Sequence, residues 1–319
     1  MKTAIITGIT GQDGAYLAEL LLDNDYKVVG LSRGYSDDSL SKLAYLGIAE
    51  KVIIEECDLL DISSIMHNIS KYQPDEIYNL AAQSSVGLSF SQPIGTISFN
   101  TMSVLNLLEA IRTVKPDVRF YQASSSEMYG WVNNLPITEK SVLHPLSPYA
   151  ISKASSHWTV VNYRESYNLF ACCGIFFNHE SFLRSKDFFI KKVIAGALKI
   201  SRNQQDVLRV GNIDIKRDFG FSKKYVEAMY LMLQQDKPQD FIICSGKSLS
   251  LREIIYYIFD KLNIDRDKLV IDPSLYRPNE IKNIYGDNQK AKKILNWNYD
   301  MNFFNVLDIL IDEEEKNLI

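Results

Sequence analysis

The sequence predicts an α/β protein: a Rossmann-type, doubly wound parallel sheet followed by a smaller, mixed C-terminal lobe. Three observations carry this. The short β-branched run Lys2 to Thr7 opens directly into Gly8-Ile-Thr-Gly-Gln-Asp-Gly14 and then a helical pattern. Strand, glycine turn and helix in that order aim backbone N–H groups and a helix dipole at a pyrophosphate. Strand and helix patterns then alternate as far as residue 178, as a parallel sheet with helices on both faces requires. Beyond that point the rhythm loosens, so 1–178 reads as the dinucleotide-binding domain and 179–319 as a lobe interleaved with it.

Each element has a local reason. The helix Ala15 to Asn24 turns Leu17, Leu20, Leu21 and Leu22 inward. The second strand, Lys27 to Leu31, ends in Gly30-Leu-Ser-Arg-Gly34. An NAD site usually has an acidic residue there for the ribose 2′-hydroxyl. Here no carboxylate would repel a 2′-phosphate and Arg33 can pair with one, which points to NADP; the plainer reading of Arg33 is a solvated loop charge. Val52 to Glu56 is a strand leading to Asp58-Leu59, placed to touch an adenine. The helix Ser63 to Tyr72 stops before Pro74, and the strand Glu76 to Leu80 opens into Ala81-Ala82-Gln83, small residues that let a cofactor lie close. The helix Ile94 to Val114 ends before Pro116 and puts Val104, Leu107, Leu108 and Ile111 on one face. The strand Arg119 to Ala123 delivers a serine cluster at its C-terminal end, where doubly wound sheets place ligands. A helix to about Tyr167 and the apolar strand Phe170 to Phe177 lead into Asn178-His-Glu-Ser181.

Past that strand the expected elements are a helix from Phe188 to Ser201, a strand from Val207 to Val210 and Lys216-Arg-Asp-Phe-Gly220. A helix from Ser222 to Gln234 and a strand from Asp240 to Cys244 follow. Ser250-Leu-Arg-Glu253 is a capping box, Tyr276-Arg-Pro-Asn-Glu280 a loop, and two helices finish the chain. The acidic run Asp312 to Glu315 reads as a solvated helix face.

Composition narrows the function. At 319 residues and 46% hydrophobic, the chain can bury a large core. A net charge of -4 with no basic stripe argues against a nucleic-acid partner. Cys57, Cys172, Cys173 and Cys244 form no CxxC pair and suit reduced core residues of a cytoplasmic protein. His67, His144, His157 and His179 lack metal-ligand spacing, so no metal is expected. The N-terminus ends in a glycine loop rather than a cleavage site, and no apolar run approaches the length of a membrane span, so no membrane partner is expected either.

The chemistry centres on Gln122-Ala-Ser-Ser-Ser-Glu-Met-Tyr-Gly130 and Ser147-Pro-Tyr-Ala-Ile-Ser-Lys153. Tyr149 and Lys153 are four apart, on one helix face, so an ammonium can sit beside a phenol. Making that phenol a base near neutral pH means lowering its pKa by roughly three units, about 4 kcal/mol. A lysine cation and a cationic nicotinamide ring are suited to supply it. An ordinary helix pair is the plain alternative.

With these stretches in place the chain resembles the extended short-chain dehydrogenase/reductase family, and within it the GDP-mannose 4,6-dehydratase branch. The shared elements include Thr7-Gly-Ile-Thr-Gly-Gln-Asp-Gly14, Asn79-Leu-Ala-Ala-Gln83, Val161-Asn-Tyr-Arg-Glu165, Asn178-His-Glu-Ser181, Lys216-Arg-Asp218 and Tyr276-Arg-Pro278. The resemblance implies Ser125, Glu127, Tyr149 and Lys153 as catalytic residues. It implies that Gly8, Gly11, Gln12, Asp13, Gly14, Arg33, Asp58, Leu59, Leu80, Ala81, Ala82, Tyr149 and Lys153 hold NADP. A GDP-sugar would be held by Gln83, Ser84, Ser126, Asn178, Lys192, Arg217, Arg277 and Glu280, making the C-terminal part a substrate-binding lobe; a homodimer or homotetramer is also implied. The chain departs from the pattern at Phe182-Leu-Arg-Ser185, at Lys191, at Gly34 and before Tyr276, where the sugar and base would be read. Another GDP-hexose such as GDP-N-acetylglucosamine, or a GDP-heptose, therefore stays open as substrate. A 4-epimerase, a 4-keto reductase and an NADP(H)-sensing module without turnover are the alternatives; only a dehydratase needs the carboxylate of Glu127.

Overall fold

The computed structural model describes residues 1–34 and 40–317. The first six strands are β1 (Thr3–Thr7), β2 (Lys27–Ser32), β3 (Ile53–Glu56), β4 (Glu76–Asn79), β5 (Arg119–Ser125) and β6 (Ala171–Phe176). Shorter ones follow: β7 (Asn178–Glu180), β8 (Leu208–Val210), β9 (Lys216–Phe221), β10 (Phe241–Ile243), β11 (Ser248–Ser250), β12 (Leu269–Ile271) and β13 (Asn283–Ile284). The helices of the first half are α1 (Gln12–Asp23), α2 (Ser41–Tyr45), α3 (Ile62–Tyr72), α4 (Val86–Ser91), α5 (Pro93–Val114) and α6 (Pro148–Tyr167). Those of the second half are α7 (Phe189–Ser201), α8 (Ser222–Leu233), α9 (Leu251–Lys261), α10 (Gln289–Leu295) and α11 (Phe303–Asn317).

The main sheet has the order β10-β6-β5-β4-β1-β2-β3, every neighbouring pair parallel. Its alternating side chains serve two layers. Ala4, Ile6, Tyr78 and Tyr121 pack toward α1, α8 and α10, while Ile5, Val29, Ile77 and Phe120 pack toward α3, α5 and α6. The expected strand near Asp240 thus completes the first sheet rather than the second lobe, and α8 covers that sheet beside α1. An Arg164–Asp240 pair, 2.8 Å through both terminal guanidinium nitrogens, clamps α6 to this returning strand, and Asp240 also accepts the Cys173 N–H. The second lobe has its own core, in which Ile190 and Ile194 of α7, Ile254 and Ile258 of α9 and Val306 of α11 meet. A small sheet of β11, β9 and β13, with β7 on β9, lies between lobe and main sheet. The capping box at Ser250 and Glu253 forms as expected.

Two expectations are corrected. The run Asp312 to Glu315 is not wholly a solvated face: Glu314 is buried and paired with Lys191, which also donates to the Phe182 carbonyl. And an apolar run does reach membrane-span length, since α5 has 22 residues and a window of mean hydropathy 1.2. Its face carrying Val104, Leu107, Leu108 and Ile111 is buried against the sheet, with α3 and α6 alongside, so it serves as a layer helix.

The Lys191–Glu314 pair yields a stability prediction. Lys191→Ala strands a buried carboxylate and should lower the unfolding free energy by about 3–5 kcal/mol in urea titration. Lys191→Met with Glu314→Leu should recover most of that loss. A single variant as stable as wild type would show that water reaches the pair.

Candidate active site

The end of β1 and the end of β4 are tied by one hydroxyl. Thr7 Oγ1 donates to Asn79 Oδ1 at 2.6 Å and accepts the N–H groups of Leu80 and Ala81, each at 3.1 Å. Between them Gly8 takes φ +69°, and a Cβ there would lie 2.8 Å from the Ala81 nitrogen. A Cβ on Gly14 would lie 2.3 Å from the Gly8 carbonyl oxygen, so the first turn of α1 closes down on the glycine loop. The result is a groove of about 470 Å³ lined by Gly8, Gly11, Gln12, Asp13, Gly14, Arg33, Leu59, Leu80, Ala81 and Ala82. The backbone cradle fits a dinucleotide diphosphate at the helix N-terminus. Arg33 stacks on Phe99, 5.1 Å from its ring centre, and the stretch 31–34 contributes no carboxylate. That surface suits a 2′-phosphate. Asp58 does not line the groove; it is exposed and caps the Leu60 N–H.

A second cavity of about 270 Å³ adjoins the groove, sharing Asp13, Leu80, Ala82, Ser84 and Arg184 with it. Ser125, Glu127, Tyr149 and Lys153 all line it. Local chemistry puts them there. Ser125 ends β5 and its hydroxyl accepts the Glu127 N–H, starting a short 3-10 turn that lifts the glutamate over the cleft. The Ser147 hydroxyl caps α6, and Pro148 occupies the first turn, so Tyr149 enters near the helix start. Lys153 donates to the Ala123 carbonyl at 2.8 Å, with its ammonium 5.9 Å from the Tyr149 ring centre.

Electrostatics in the protein alone differ from the expectation that lysine depresses the tyrosine. Burial pushes the Tyr149 hydroxyl up to about 12, Glu127 adds to this, and a hydrogen bond with Ser125 works against it; Lys153 is not among the causes. Burial brings the Lys153 ammonium down to about 8. Both charged forms are disfavoured in the same dry pocket.

Charges alternate along the far wall. Arg217, buried on β9, donates to the Lys216 and Ile281 carbonyls. Its guanidinium stands 4.0 Å from Glu127 and 3.8 Å from Glu280, and Glu280 is 3.7 Å from Arg277. Burial pushes the Arg217 guanidinium down, with Glu127 the main opposing charge. Asn178, Ser84 and Arg277 line the cavity as well.

Four residues expected to touch a substrate are not on the cavity lining: Glu280 pairs with Arg217 and Arg277 instead, and three others are placed elsewhere. Gln83 spends its side chain on Ser85 and Thr96, fastening the loop to α5. Ser126 is buried behind the wall. Lys192 is exposed on α7, one position past the face that Lys191 turns inward. The departures at 183 and 191 are likewise internal: Leu183 is buried in the main core and Lys191 is sealed against Glu314. They therefore do not read the sugar. The wall also contains residues to which the sequence reading gave no role, Arg184 and Asp187, with Phe188 under the Arg184 guanidinium at 3.6 Å. Their only local signal was position, just after Asn178-His-Glu-Ser181.

A family model described as GDP-mannose 4,6 dehydratase matches residues 5–310. The chain is 42% identical over 322 residues to GDP-mannose 4,6 dehydratase 2 of Caenorhabditis elegans, spanning 93% of this chain and 84% of that protein. It is 40% identical over 332 residues to GDP-mannose 4,6-dehydratase of Yersinia enterocolitica serotype O:8, spanning 93% and 89%. Among solved structures it superposes on DesIV, a dTDP-glucose 4,6-dehydratase from Streptomyces venezuelae, with TM-score 0.88 at 21% identity, covering 99% and 97% of the two chains. RMD from Pseudomonas aeruginosa, complexed with NADPH, gives TM-score 0.83 at 23% identity, covering 99% and 100%.

The buried ammonium has a measurable cost. A lysine held near 8 rather than 10.5 weakens the fold by about 3 kcal/mol below pH 8. Lys153→Met should remove that cost, since the Ala123 carbonyl keeps a second donor in Gln122. At neutral pH the variant should be at least as stable as wild type in denaturant titration. Between pH 8 and 10.5 the folded protein sheds a proton that the unfolded chain keeps, so wild type should gain on the variant there. A variant clearly less stable at pH 7, with no convergence at alkaline pH, would contradict the burial argument.

Proposed function

Because the chain belongs to the GDP-mannose 4,6-dehydratase family, we propose that it converts GDP-mannose to the 4-keto-6-deoxy sugar nucleotide, with NADP regenerated in each turnover. The observation that carries the reading is that Ser125, Glu127, Tyr149 and Lys153 meet in one cavity opening beside the dinucleotide groove. A 4-epimerase or 4-keto reductase has no use for the carboxylate. The internal placement of Leu183 and Lys191 removes two of the reasons for preferring another GDP-sugar.

Bound NADP supplies a cationic ring beside the phenol, the hydride acceptor for C4 and, once reduced, the hydride donor for C6. The protein does the rest. Tyr149 takes the proton of the sugar 4-hydroxyl, which Ser125 holds, and Lys153 orients the cofactor ribose. With C4 a ketone the C5 proton becomes acidic, and the Glu127 carboxylate removes it. Glu127, now neutral, gives that proton to the departing 6-hydroxyl, so water leaves and C5=C6 forms. When C6 takes up hydride, C5 takes a proton, which balances the one Tyr149 removed from the 4-hydroxyl and returns the protein to its starting state. Arg217 and Asn178 hold the diphosphate, and the Arg277–Glu280 pair stands toward the nucleoside end. The four free, buried cysteines suit a reducing, cytoplasmic setting.

A second copy of the chain is part of the proposal. α5 and α6 pack side by side and leave outward apolar residues: Ile94, Ile97 and Met102 on the first, Ile151 and Trp158 on the second. Trp158 is 59% exposed, too much bare indole for a solvent face. A two-fold pairing of these helices would cover the strip, giving a dimer or a tetramer built from it. Light scattering should show at least a dimer, and Trp158→Glu with Ile97→Glu should yield monomers. A monomeric wild type at micromolar concentration would exclude the pairing.

The elimination step has a direct test. Glu127→Gln keeps shape and loses the base, so loss of water from GDP-mannose, followed by mass spectrometry, should slow on the order of a hundredfold or more. Reduced nicotinamide should still form in a single turnover, whereas Tyr149→Phe should block both. Near wild-type turnover by Glu127→Gln would make the carboxylate structural, and a wild type that removes no water from GDP-mannose would overturn the dehydratase reading.

A further inference from the structure

Helix α6 presents three side chains at four-residue spacing, Tyr149, Lys153 and His157, and each meets one of three successive residues at the end of β5. Tyr149 shares a hydrogen bond with the Ser125 hydroxyl, and Lys153 donates to the Ala123 carbonyl at 2.8 Å. Between those two strand residues the Ser124 hydroxyl stands 3.2 Å from His157 Nδ1, and both side chains are buried. The histidine is fixed from other sides as well. Its backbone carbonyl accepts the Cys173 thiol of β6 at 4.0 Å, and its ring meets Trp158 edge-on with centres 5.7 Å apart. Burial pushes the ring's pKa below the ordinary histidine value; Asp240 opposes this and Arg164 adds to it. A neutral imidazole has one donating and one accepting nitrogen, so Nδ1 can pair with a hydroxyl in either tautomer.

The three contacts differ in what turnover asks of them. Ser125, Tyr149 and Lys153 turn to the sugar oxygen and the cofactor ribose. Ser124 lines the cavity but His157 does not, so their bond persists while its neighbours are engaged. The other ties of α6 run elsewhere: Ser152 and Ser156 bind Asn100 of α5, and Arg164 binds Asp240. None of these reaches β5. We propose that His157 is a positioning residue for the oxidation of C4. Through Ser124 it fixes the end of β5 against α6, so that the Ser125 and Tyr149 hydroxyls converge on one sugar oxygen. A misplacement of about 1 Å between such groups costs on the order of a hundredfold in rate, so the loss of one pin among several contacts should cost about tenfold. The inference rests on the dehydratase reading of the cavity, which gives Ser125 and Tyr149 their roles.

Single-turnover formation of reduced nicotinamide, with NADP bound and GDP-mannose added, tests it, and thermal unfolding checks that each variant folds. His157→Phe keeps an aromatic ring without a polar atom. It should slow the oxidation about tenfold while the GDP-mannose concentration for half-maximal rate stays within about twofold. His157→Asn, whose amide reaches the place of Nδ1, should recover most of the rate. Ser124→Ala should be slowed as His157→Phe is, and the double variant no further than either single, because both remove the same contact. An unaltered rate in His157→Phe, an asparagine variant as slow as the phenylalanine one, or losses that multiply in the double variant would make the ring a packing residue and overturn the proposal. Should His157→Phe not fold, Ser124→Ala decides alone: slowed oxidation at unchanged half-saturation supports the pin, and a wild-type rate refutes it. A wild type that forms no reduced nicotinamide from GDP-mannose overturns the dehydratase reading itself, and the proposal with it.

Discussion

Seven strands pointing the same way impose the constraint from which the site follows. Parallel neighbours cannot be joined by tight turns, so each connection crosses a face as a helix and every strand ends at the same edge. The chain lays β1, β2 and β3 outward in one direction, then restarts at β4 and builds the other way through β5 and β6. β1 and β4 are therefore neighbours whose following segments diverge, and a crevice opens between them. Thr7 bridges that crevice, and the glycine turn and Ala81-Ala82 form its walls. β5, one strand further, brings Ser125 and Glu127 to the same edge, and α6 returns with Tyr149 and Lys153. The proposed catalytic groups come from separate elements, yet strand polarity and the return of α6 bring them to one cavity.

Much of this was legible in the chain because the signals were local. Strands buried on both faces read as continuous β-branched runs, and Ser125, Glu127, Tyr149 and Lys153 lie within short stretches whose spacing survives folding. What was not legible depends on partners distant in sequence. Nothing within residues 240–244 says that they pair with β6. The choice between Lys191 and Lys192 is a rotation of one position on a helix, decided by where Glu314 arrives from α11. Gln83 has the look of a ligand contact until α5 claims its amide. Arg184 reaches the walls of both cavities only because β7 and the segment after it run beside the glycine turn, a fact of topology rather than of motif.

The site also shows how folding and chemistry oppose one another. The pocket that raises the tyrosine and depresses the lysine disfavours the charged form of each, and the ion pairs that Arg217 and Arg277 make with Glu127 and Glu280 are long, 3.7–4.0 Å. Such spacing leaves the carboxylate contacts exchangeable for a phosphate, while two backbone carbonyls keep the Arg217 guanidinium in place. The compensating rigidity lies outside the cavity, in the close bidentate clamp between Arg164 and Asp240 and the capped start of α6.

The late arrival of β10 has a consequence during synthesis. β6 ends at Phe176 and its outer neighbour ends at Ile243, so 67 residues must be made before the edge is covered. At typical translation speeds that is an interval of roughly 3–13 s in which the nascent chain presents an open, apolar strand margin. The same interval leaves Arg164 without Asp240 and the tyrosine-bearing helix without its anchor. An amino-terminal fragment ending near residue 178 would remain in that state permanently, a sheet with a sticky border.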